Sequence, residues 1–189
     1  MKLSLITPPS SLPLTLDEAK AHLRVLHSDD DTYITSLIKA ATAQAEEITS
    51  RQLVEATWEL YVDGLSESIE LAKSPLIAVD KIEYVPDGSD DFALLDASMY
   101  KVDDISEPAV VYKRANAIYP SVSNEANSVR ITFRSGYENG VPAPLKQWML
   151  IRIATMYENR EEIVVGVTPS AIESEYNNFL ISKYRVGRL

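Results

Sequence analysis

The stretch APLKQWMLIRIATMYENRE, residues 143–161, has the pattern of a helix whose apolar side chains reach most of the way around its axis. Pro144 suits the first turn of a helix, where its missing N–H costs nothing. Only four polar side chains occur between Leu145 and Tyr157: Lys146, Gln147, Arg152 and Thr155. A helix that is apolar on most sides is buried or packs against a partner. The pattern therefore predicts that this helix packs in the core of the chain, against a partner, or partly in each.

A capping signal precedes the first of two upstream helices. In the run TLDE, Glu18 follows Thr15 by three residues, the spacing of a capping box in which each side chain bonds the other residue's backbone amide. Apolar side chains at helical spacing predict a buried stripe. Its members are Leu16, Ala19, Leu23 and Leu26.

The acidic run HSDDD separates this helix from the next. Ser28 or Asp29 is predicted to cap the second helix, which places Asp30 and Asp31 at the positive end of its dipole. A cation site is the alternative interpretation of these carboxylates, but capping accounts for all of them. The helix is predicted to run to about Thr49. Its apolar residues are Ile34, Leu37, Ile38, Ala41, Ala45 and Ile48.

From residue 53 the spacing of apolar residues changes from helical to alternating. In LVEATWELYVDG, one strand face carries Val54, Ala56, Trp58, Leu60 and Val62. Further strand-like runs follow, separated by turn clusters: SIELA, VDKIEYV, MYKVD, AVVYKR and SVRITFRSGY. Asp87-Gly88 is predicted to form a hairpin turn, because DGSDD lacks the residue order and the closing glutamate of a calcium-binding EF-hand loop.

Composition narrows the functional classes. The chain has 28 acidic and 18 basic residues, a net charge of −10 and no cysteine. This charge argues against a protein that grips nucleic acid through its phosphates, and the absence of cysteine excludes disulfides and thiolate sites. Residues 1–14 are expected to be extended, with Pro8-Pro9 too early for a signal peptide. Because Arg152 interrupts the longest apolar run, no membrane span is predicted, and the chain is expected to be soluble and intracellular when made.

No catalytic, cofactor or metal site is predicted from motifs. The two histidines, His22 and His27, are five residues apart and would point about 140° away from each other on a helix. They therefore could not share a metal ion without help from a loop. We find no nucleophile–base pair and no phosphate-binding glycine loop.

A group of cations raises the possibility of a basic patch. Arg130, Thr132 and Arg134 alternate with apolar residues, so the two arginines share the polar face of one strand. Together with Lys113 and Arg114 they could form a small patch that meets an acidic neighbouring subunit. A solvated sheet face is the simpler interpretation.

Two further functions are alternatives, the first of them suggested by the run YENREE at the end of the apolar helix. Glu158 and Glu161 could serve a small acidic enzyme as an acid–base pair, although an ion-pair cluster at a helix end explains the run more simply. An enzyme would also require a pocket that raises the pKa of these carboxyls. A host-directed binding protein, which would expose its apolar helix in a groove, is the other alternative.

The order of these motifs resembles that of phage head–tail connector proteins, the adaptors of long-tailed double-stranded DNA phages and prophages. The resemblance rests on LTLDEAKAHLRV, SDDDTYITSLIKAATAQAEEIT, TWELYVDG, YKVDD, VRITFRSGY, VPAPLKQWMLIRIATMYENRE and YRV. These runs follow one another from about residue 12 to residue 186.

The resemblance implies an α+β fold: a small helical bundle with an antiparallel β-rich segment inserted between the second and third long helices. The chain would form one connector domain over 1–189. Its parts would be N-terminal helices in 12–50, a β-rich insertion in 53–135, the apolar helix in 142–161 and a C-terminal docking tail in 162–189.

The function implied is that of a virion structural protein without catalysis or cofactors. It would assemble in the host cytoplasm as a ring, usually twelvefold, between the portal protein and a stopper or tail-completion protein. DNA would pass through the ring without sequence-specific binding. Exposed aromatic residues expected at subunit contacts are Tyr119, Tyr137 and Tyr184. Candidates for the subunit or portal interface are Trp148, Arg152, Tyr157, Glu158, Arg160, Tyr184, Arg185 and Arg188.

Overall fold

The computed structural model describes residues 1–159 and 179–187. Arg160, Glu161 and Arg188 lie outside the described residues. The chain forms two compact units. The β-unit comprises Met1–Ser10, Val54–Glu138 and Val186–Leu189, and the α-unit comprises Ser11–Leu53 and Asn139–Arg185.

The first helix of the α-unit, α1 (Leu16–Leu23), begins with the predicted capping box. The Glu18 N–H donates to Thr15 Oγ1 at 3.1 Å, and the Thr15 N–H donates to Glu18 Oε2 at 2.8 Å. The helix stops earlier than predicted, because Arg24 adopts a left-handed backbone conformation with φ of 58°. Leu26 therefore lies beyond the helix and is 98% exposed, so its assignment to the buried stripe was wrong.

The second helix, α2 (Asp31–Thr49), ends where predicted but begins differently. Its N-cap is Asp30, and no side-chain hydrogen bond caps it, so the predicted cap at Ser28 or Asp29 was wrong. The Asp30 carboxylate instead accepts a hydrogen bond from Tyr157 Oη, and Asp31 pairs with Lys20 Nζ at 2.6 Å. These carboxylates are thus engaged by side chains from other helices of the α-unit.

Burial along α2 follows the predicted period with one exception. The buried apolar residues are Ile34, Leu37, Ile38, Ala41 and Ala45. Ile48 is 39% exposed, contrary to the prediction, and the adjacent Thr49 is buried. Thr49 can be buried because its Oγ1 donates to the Ala45 carbonyl at 2.6 Å, which satisfies the hydroxyl.

The apolar helix is α3 (Ala143–Glu158), with a proline in its first turn as predicted. Hydrogen bonds tie it to α1 and α2. Lys146 Nζ donates to Glu18 Oε1 on α1 at 2.9 Å, and Arg152 Nε donates to Gln44 Oε1 on α2 at 2.9 Å. Contacts between all three helix pairs make the α-unit a small helical bundle.

The β-unit contains two antiparallel sheets. One sheet has the order β1-β2-β8-β4-β5 and the other the order β3-β7-β6. The strands are β1 (Lys2–Thr7), β2 (Ala56–Val62), β3 (Ser68–Leu71), β4 (Leu76–Tyr84), β5 (Ala93–Leu94), β6 (Tyr100–Asp103), β7 (Ala109–Lys113) and β8 (Val129–Ser135). Both sheets contribute to one hydrophobic core that includes Leu60, Ile82, Phe133, Leu71 and Val111.

The predicted α+β fold is confirmed, with the antiparallel β-rich segment between α2 and α3 along the chain. The expected extended N-terminus forms an edge strand, with Leu3 opposite Leu60 of β2. Asp87-Gly88 lies in a turn between antiparallel strands β4 and β5, as predicted. Gly88 takes φ of +74°, and the Ser89 N–H donates to the Pro86 carbonyl at 3.0 Å. In residues 1–159 and 179–187, no helix is both long and apolar enough to cross a membrane.

Candidate functional site

Helix α3 divides into a buried stripe and a polar face. Leu145, Trp148, Met149 and Ile153 are buried, at the i, i+3, i+4 and i+8 spacing of one helix side. The exposed face carries Gln147, Arg152, Thr155 and Glu158. Between them lie half-buried apolar residues: Leu150, Ile151, Ala154 and Met156. This intermediate band is the part of α3 that could still lose exposed apolar surface on assembly.

The interface candidates on α3 have different environments. Trp148 is 7% exposed and belongs to the core of the α-unit. Tyr157 is half-buried, donates to the Asp30 carboxylate and lies with its ring centroid 6.0 Å from that of Tyr33. Arg152 and Glu158 are exposed. Of these four residues, Arg152 and Glu158 therefore have the largest exposed fractions and are the most accessible to another molecule.

The described part of the predicted docking tail is anchored within the α-unit. Ile181 is 1% exposed, and Arg51, itself 6% exposed, donates from Nε to the Tyr184 carbonyl at 2.6 Å. Tyr184 is half-buried rather than exposed, whereas Arg185 and Phe179 are exposed, Phe179 at 76%. Arg185 and Phe179 are thus available for a partner on a segment that its own unit holds in place. Tyr119 and Tyr137, expected to be exposed, are also half-buried.

The arginines of β8 are neutralised within the five-stranded sheet. Arg130 Nη2 lies 2.8 Å from Glu83 Oε2, and Arg134 contacts Asp80 Oδ1 at 3.1 Å and Glu55 Oε1 at 3.0 Å. Lys113 and Arg114 lie at the end of β7, in the other sheet. The alternative of a joint basic patch is therefore not supported, because Glu83, Asp80 and Glu55 compensate the two arginines of β8.

Glu83 should contribute to the acid sensitivity of the β-unit. Partial burial alone would raise the pKa of this carboxyl, but the cations of Lys81 and Arg130 outweigh burial and hold its pKa below the ordinary value of 4.5. A lowered folded-state pKa stabilises the fold above the unfolded-state pKa, and that stabilisation is lost as the pH falls through the folded-state value. We expect Glu83→Gln to have a lower free energy of unfolding than wild type at about pH 7. On acidification to about pH 3, its free energy of unfolding should fall by less than that of wild type.

Urea unfolding at the two pH values measures this difference. Glu70→Gln, which removes an exposed carboxylate on β3 that makes no described ion pair, is the matched control and should follow the wild-type acid profile. If acidification lowers the free energy of unfolding of Glu83→Gln as much as that of wild type, Glu83 does not contribute to this pH dependence.

Five apolar side chains that the sequence pattern did not predict to be exposed lie open to solvent. They are Leu26, Leu94, Ile105, Ile118 and Phe179, each at least 69% exposed. All except Leu94 and Phe179 lie outside helices and strands, where no periodicity marks them as facing solvent. Apolar side chains exposed to this degree are candidates for contacts with other subunits or proteins.

The described carboxyls do not form the environment expected of an acid–base pair. Four carboxyls have a pKa below the ordinary value, the opposite of what a general acid requires: Glu18, Glu83, Asp96 and Asp103. For Glu18, the main cause is the backbone hydrogen bond from Thr15, followed by the hydrogen bond from Lys146. Glu158 is exposed, and no group of acidic or histidine side chains suited to a metal ion occurs in the described parts of the chain.

Comparison with known proteins identifies a related family. Residues 13–84 match the phage gp6-like head–tail connector proteins. No curated protein matches the chain by sequence. One similar solved structure belongs to the neck of an empty GTA particle computed with C6 symmetry, with a TM-score of 0.80 and 21% identity over 100% of this chain and 97% of that chain.

Two further structures share this fold. A chain from the virion of the native gene transfer agent (GTA) particle has a TM-score of 0.77 at 20% identity. A chain from the neck of the native GTA particle computed with C12 symmetry has a TM-score of 0.74 at 21% identity. Each comparison covers 100% of this chain and 97% of the other. Through the sequence match over residues 13–84 and the shared fold, the resemblance of this chain to the phage head–tail connector family is confirmed.

Proposed function

We propose that this protein is a virion structural protein that forms a ring adaptor at the head–tail junction, between the portal protein and a stopper or tail-completion protein. The observation that carries the proposal is the match of residues 13–84 to head–tail connector proteins, joined to a fold shared with chains of a particle neck. The matched family is a structural one, so we propose no catalytic role.

The exposed residues of the chain suit assembly by surface contacts. A ring requires a heterologous interface, in which one patch of a subunit meets a different patch of the next and rotation closes the circle. Scattered exposed apolar side chains on both units, including Leu94, Ile118 and Phe179, would be covered in such an assembly. The half-buried band of α3 is a further candidate for this contact.

The charge of the chain suits a passage for DNA. A net charge of −10 on each subunit is multiplied in a ring, and the resulting negative potential repels phosphates. DNA would therefore pass through the ring without being held by the protein. In this role the chain acts during head completion and head–tail joining, first in the host cytoplasm and then in the virion.

The described interface candidates divide between support and contact in this proposal. Trp148 and Tyr157 stabilise the α-unit, whereas Arg152, Glu158 and Arg185 are the charged residues exposed for partners. Arg185 lies on the segment predicted to dock on the portal. The hydrogen bond from Arg51 to the carbonyl of the preceding residue, Tyr184, holds this segment in place.

The proposal is tested by measuring particle mass with light scattering behind a sizing column, over a concentration series and with the portal ring encoded in the same genome. We expect rings of the chain alone or a ring formed on the portal. Arg185→Glu should weaken portal binding by about tenfold, since it reverses a charge at the proposed contact. Lys39→Glu, an equal charge change at an exposed position of α2, is the control and should bind as wild type does. A wild-type chain that stays monomeric and does not bind the portal would contradict the proposed function.

A further inference from the structure

A cavity with a volume of about 730 Å³ lies at one edge of the three-stranded sheet, open to solvent. It is lined by the start of edge strand β6 and by the loop that follows β7. Three of its lining residues are cations: Lys101, Lys113 and Arg114. Ile118, also a lining residue, is 88% exposed. In a chain of net charge −10, this combination of cations and an exposed apolar side chain is suited to an acidic partner segment.

Two of the three cations remain available to such a partner. Lys113 Nζ is paired with Glu67 Oε1 at 2.6 Å and lies 5.5 Å from the ring centroid of Tyr119. Arg114 donates from Nε to the Tyr100 carbonyl at 3.0 Å, which orients its guanidinium without neutralising it. Among the described ion pairs, none includes Lys101 or Arg114.

The same β-unit carries an acidic loop of complementary character. Asp87, Asp90 and Asp91 are exposed, and the ion pairs of the described residues include none of them. The loop is ordered by the turn at Gly88 and by the Asp91 N–H, which donates to Ser89 Oγ at 3.1 Å. Leu94 follows it on edge strand β5 and is 69% exposed.

Several acidic groups elsewhere in the chain are engaged by their own neighbours. Asp31 is paired with Lys20, and Asp30 accepts from Tyr157. Asp103 accepts hydrogen bonds from the Ile105 N–H and from Ser106 within its own turn. The loop of residues 87–91 places three exposed carboxylates within five residues, so it offers a second copy of the chain a concentrated negative charge.

We propose that the acidic loop of residues 87–91 in one subunit docks at the cavity of Lys101 and Arg114 in the next subunit. This inference rests on the proposed function, since it specifies a contact within the ring. The loop and the cavity are different patches of one chain, so the contact is heterologous and can repeat around a closed ring. Carboxylates of the loop meet Lys101 and Arg114, neither of which belongs to a described ion pair, and Leu94 and Ile118 supply exposed apolar surface beside them.

Two charge-reversed variants test this contact. The loop variant is D87K/D90K/D91K, and the cavity variant is K101E/R114E. Each alone places like charges in contact and should lower the yield of rings by about tenfold or more. An equimolar mixture should restore assembly, because lysines of the loop variant fit the reversed cavity, while the unchanged loop fits the unchanged cavity. The product is a ring in which the two variants alternate.

The matched control, E47K/E125K/E138K, changes three other exposed glutamates and should assemble as wild type does. Particle mass by light scattering, with or without the portal ring, and thermal melting of each variant are measured together. Should a reversed variant fail to fold, the neutral variant K101Q/R114Q is measured in its place and should also lose rings.

The outcomes separate this inference from the proposed function. If wild type forms rings and both variants also form them at wild-type yield, the contact is overturned and the adaptor role stands. The same conclusion follows if the variants lose rings and the mixture does not recover them. A wild-type chain that forms no ring alone or on the portal would overturn the adaptor role, and the contact with it.

Discussion

Trp148→Ala is expected to lower the free energy of unfolding of the protein by about 3–5 kcal/mol. Trp148 is 7% exposed and lies on the buried stripe of α3, beside Leu145 and Met149, both of which are 0% exposed. Removal of the indole leaves a cavity in the helical bundle that its neighbours can fill only in part. Because small proteins are stable by only about 5–15 kcal/mol, this loss would remove a large share of the total.

Urea denaturation followed by circular dichroism measures this loss. Gln147→Ala is the matched control, because Gln147 is the exposed neighbour on the same helix, and its effect should stay within about 0.5 kcal/mol. Unchanged stability of Trp148→Ala combined with loss of ring assembly would instead identify the indole as part of a subunit interface.

Among the glycine-to-alanine exchanges in the β-unit, Gly136→Ala should be the most destabilising. We expect it to lower the free energy of unfolding by at least about 2 kcal/mol. Gly136 follows β8 with φ of +141°, a conformation that residues with a side chain rarely adopt. A methyl group there would lie 2.6 Å from the backbone nitrogen of Glu55 and 2.7 Å from its Cα. These are main-chain atoms beside β2, and they cannot move aside as the end of a flexible side chain can.

Gly64→Ala provides the comparison for this prediction. No atom lies within 4 Å of the position that its added methyl group would occupy. We therefore expect the free energy of unfolding of Gly64→Ala to equal that of wild type or to exceed it by up to about 1 kcal/mol. Thermal or urea unfolding of both variants checks the pair. Equal stability of Gly136→Ala and wild type would show that the chain can relax around residue 136.

The helices could be predicted closely because their signals are local. The capping box of Thr15 and Glu18 and the period of α2 depend on residues three or four positions apart. The wrong prediction of the α2 cap has a different origin, because side chains far along the chain bind the carboxylates there. Tyr157 and Lys20 engage the carboxylates of Asp30 and Asp31, and no sequence spacing announces those pairs.

The candidate site could be predicted only in outline. The sequence indicated that α3 has too much apolar surface for a solvated helix, and the structure shows which side is buried. The sequence also indicated that Arg130 and Arg134 share one face of a strand, now β8. Their neutralisation depends on Glu55, Asp80 and Glu83, which the pairing of β2 and β4 with β8 places beside the two arginines.

The sequence by itself determined the type and order of the main elements, the capping box of α1, the turn at Asp87-Gly88 and the resemblance to head–tail connectors. These follow from backbone periodicity and from side chains that act over a few residues. Only the tertiary structure decided the strand order β1-β2-β8-β4-β5 and the grouping of Lys101, Arg114 and Ile118 around one cavity. Strand pairing joins residues far apart in the chain, and the partner of each strand is selected by burial of the whole shared core rather than by any local pattern.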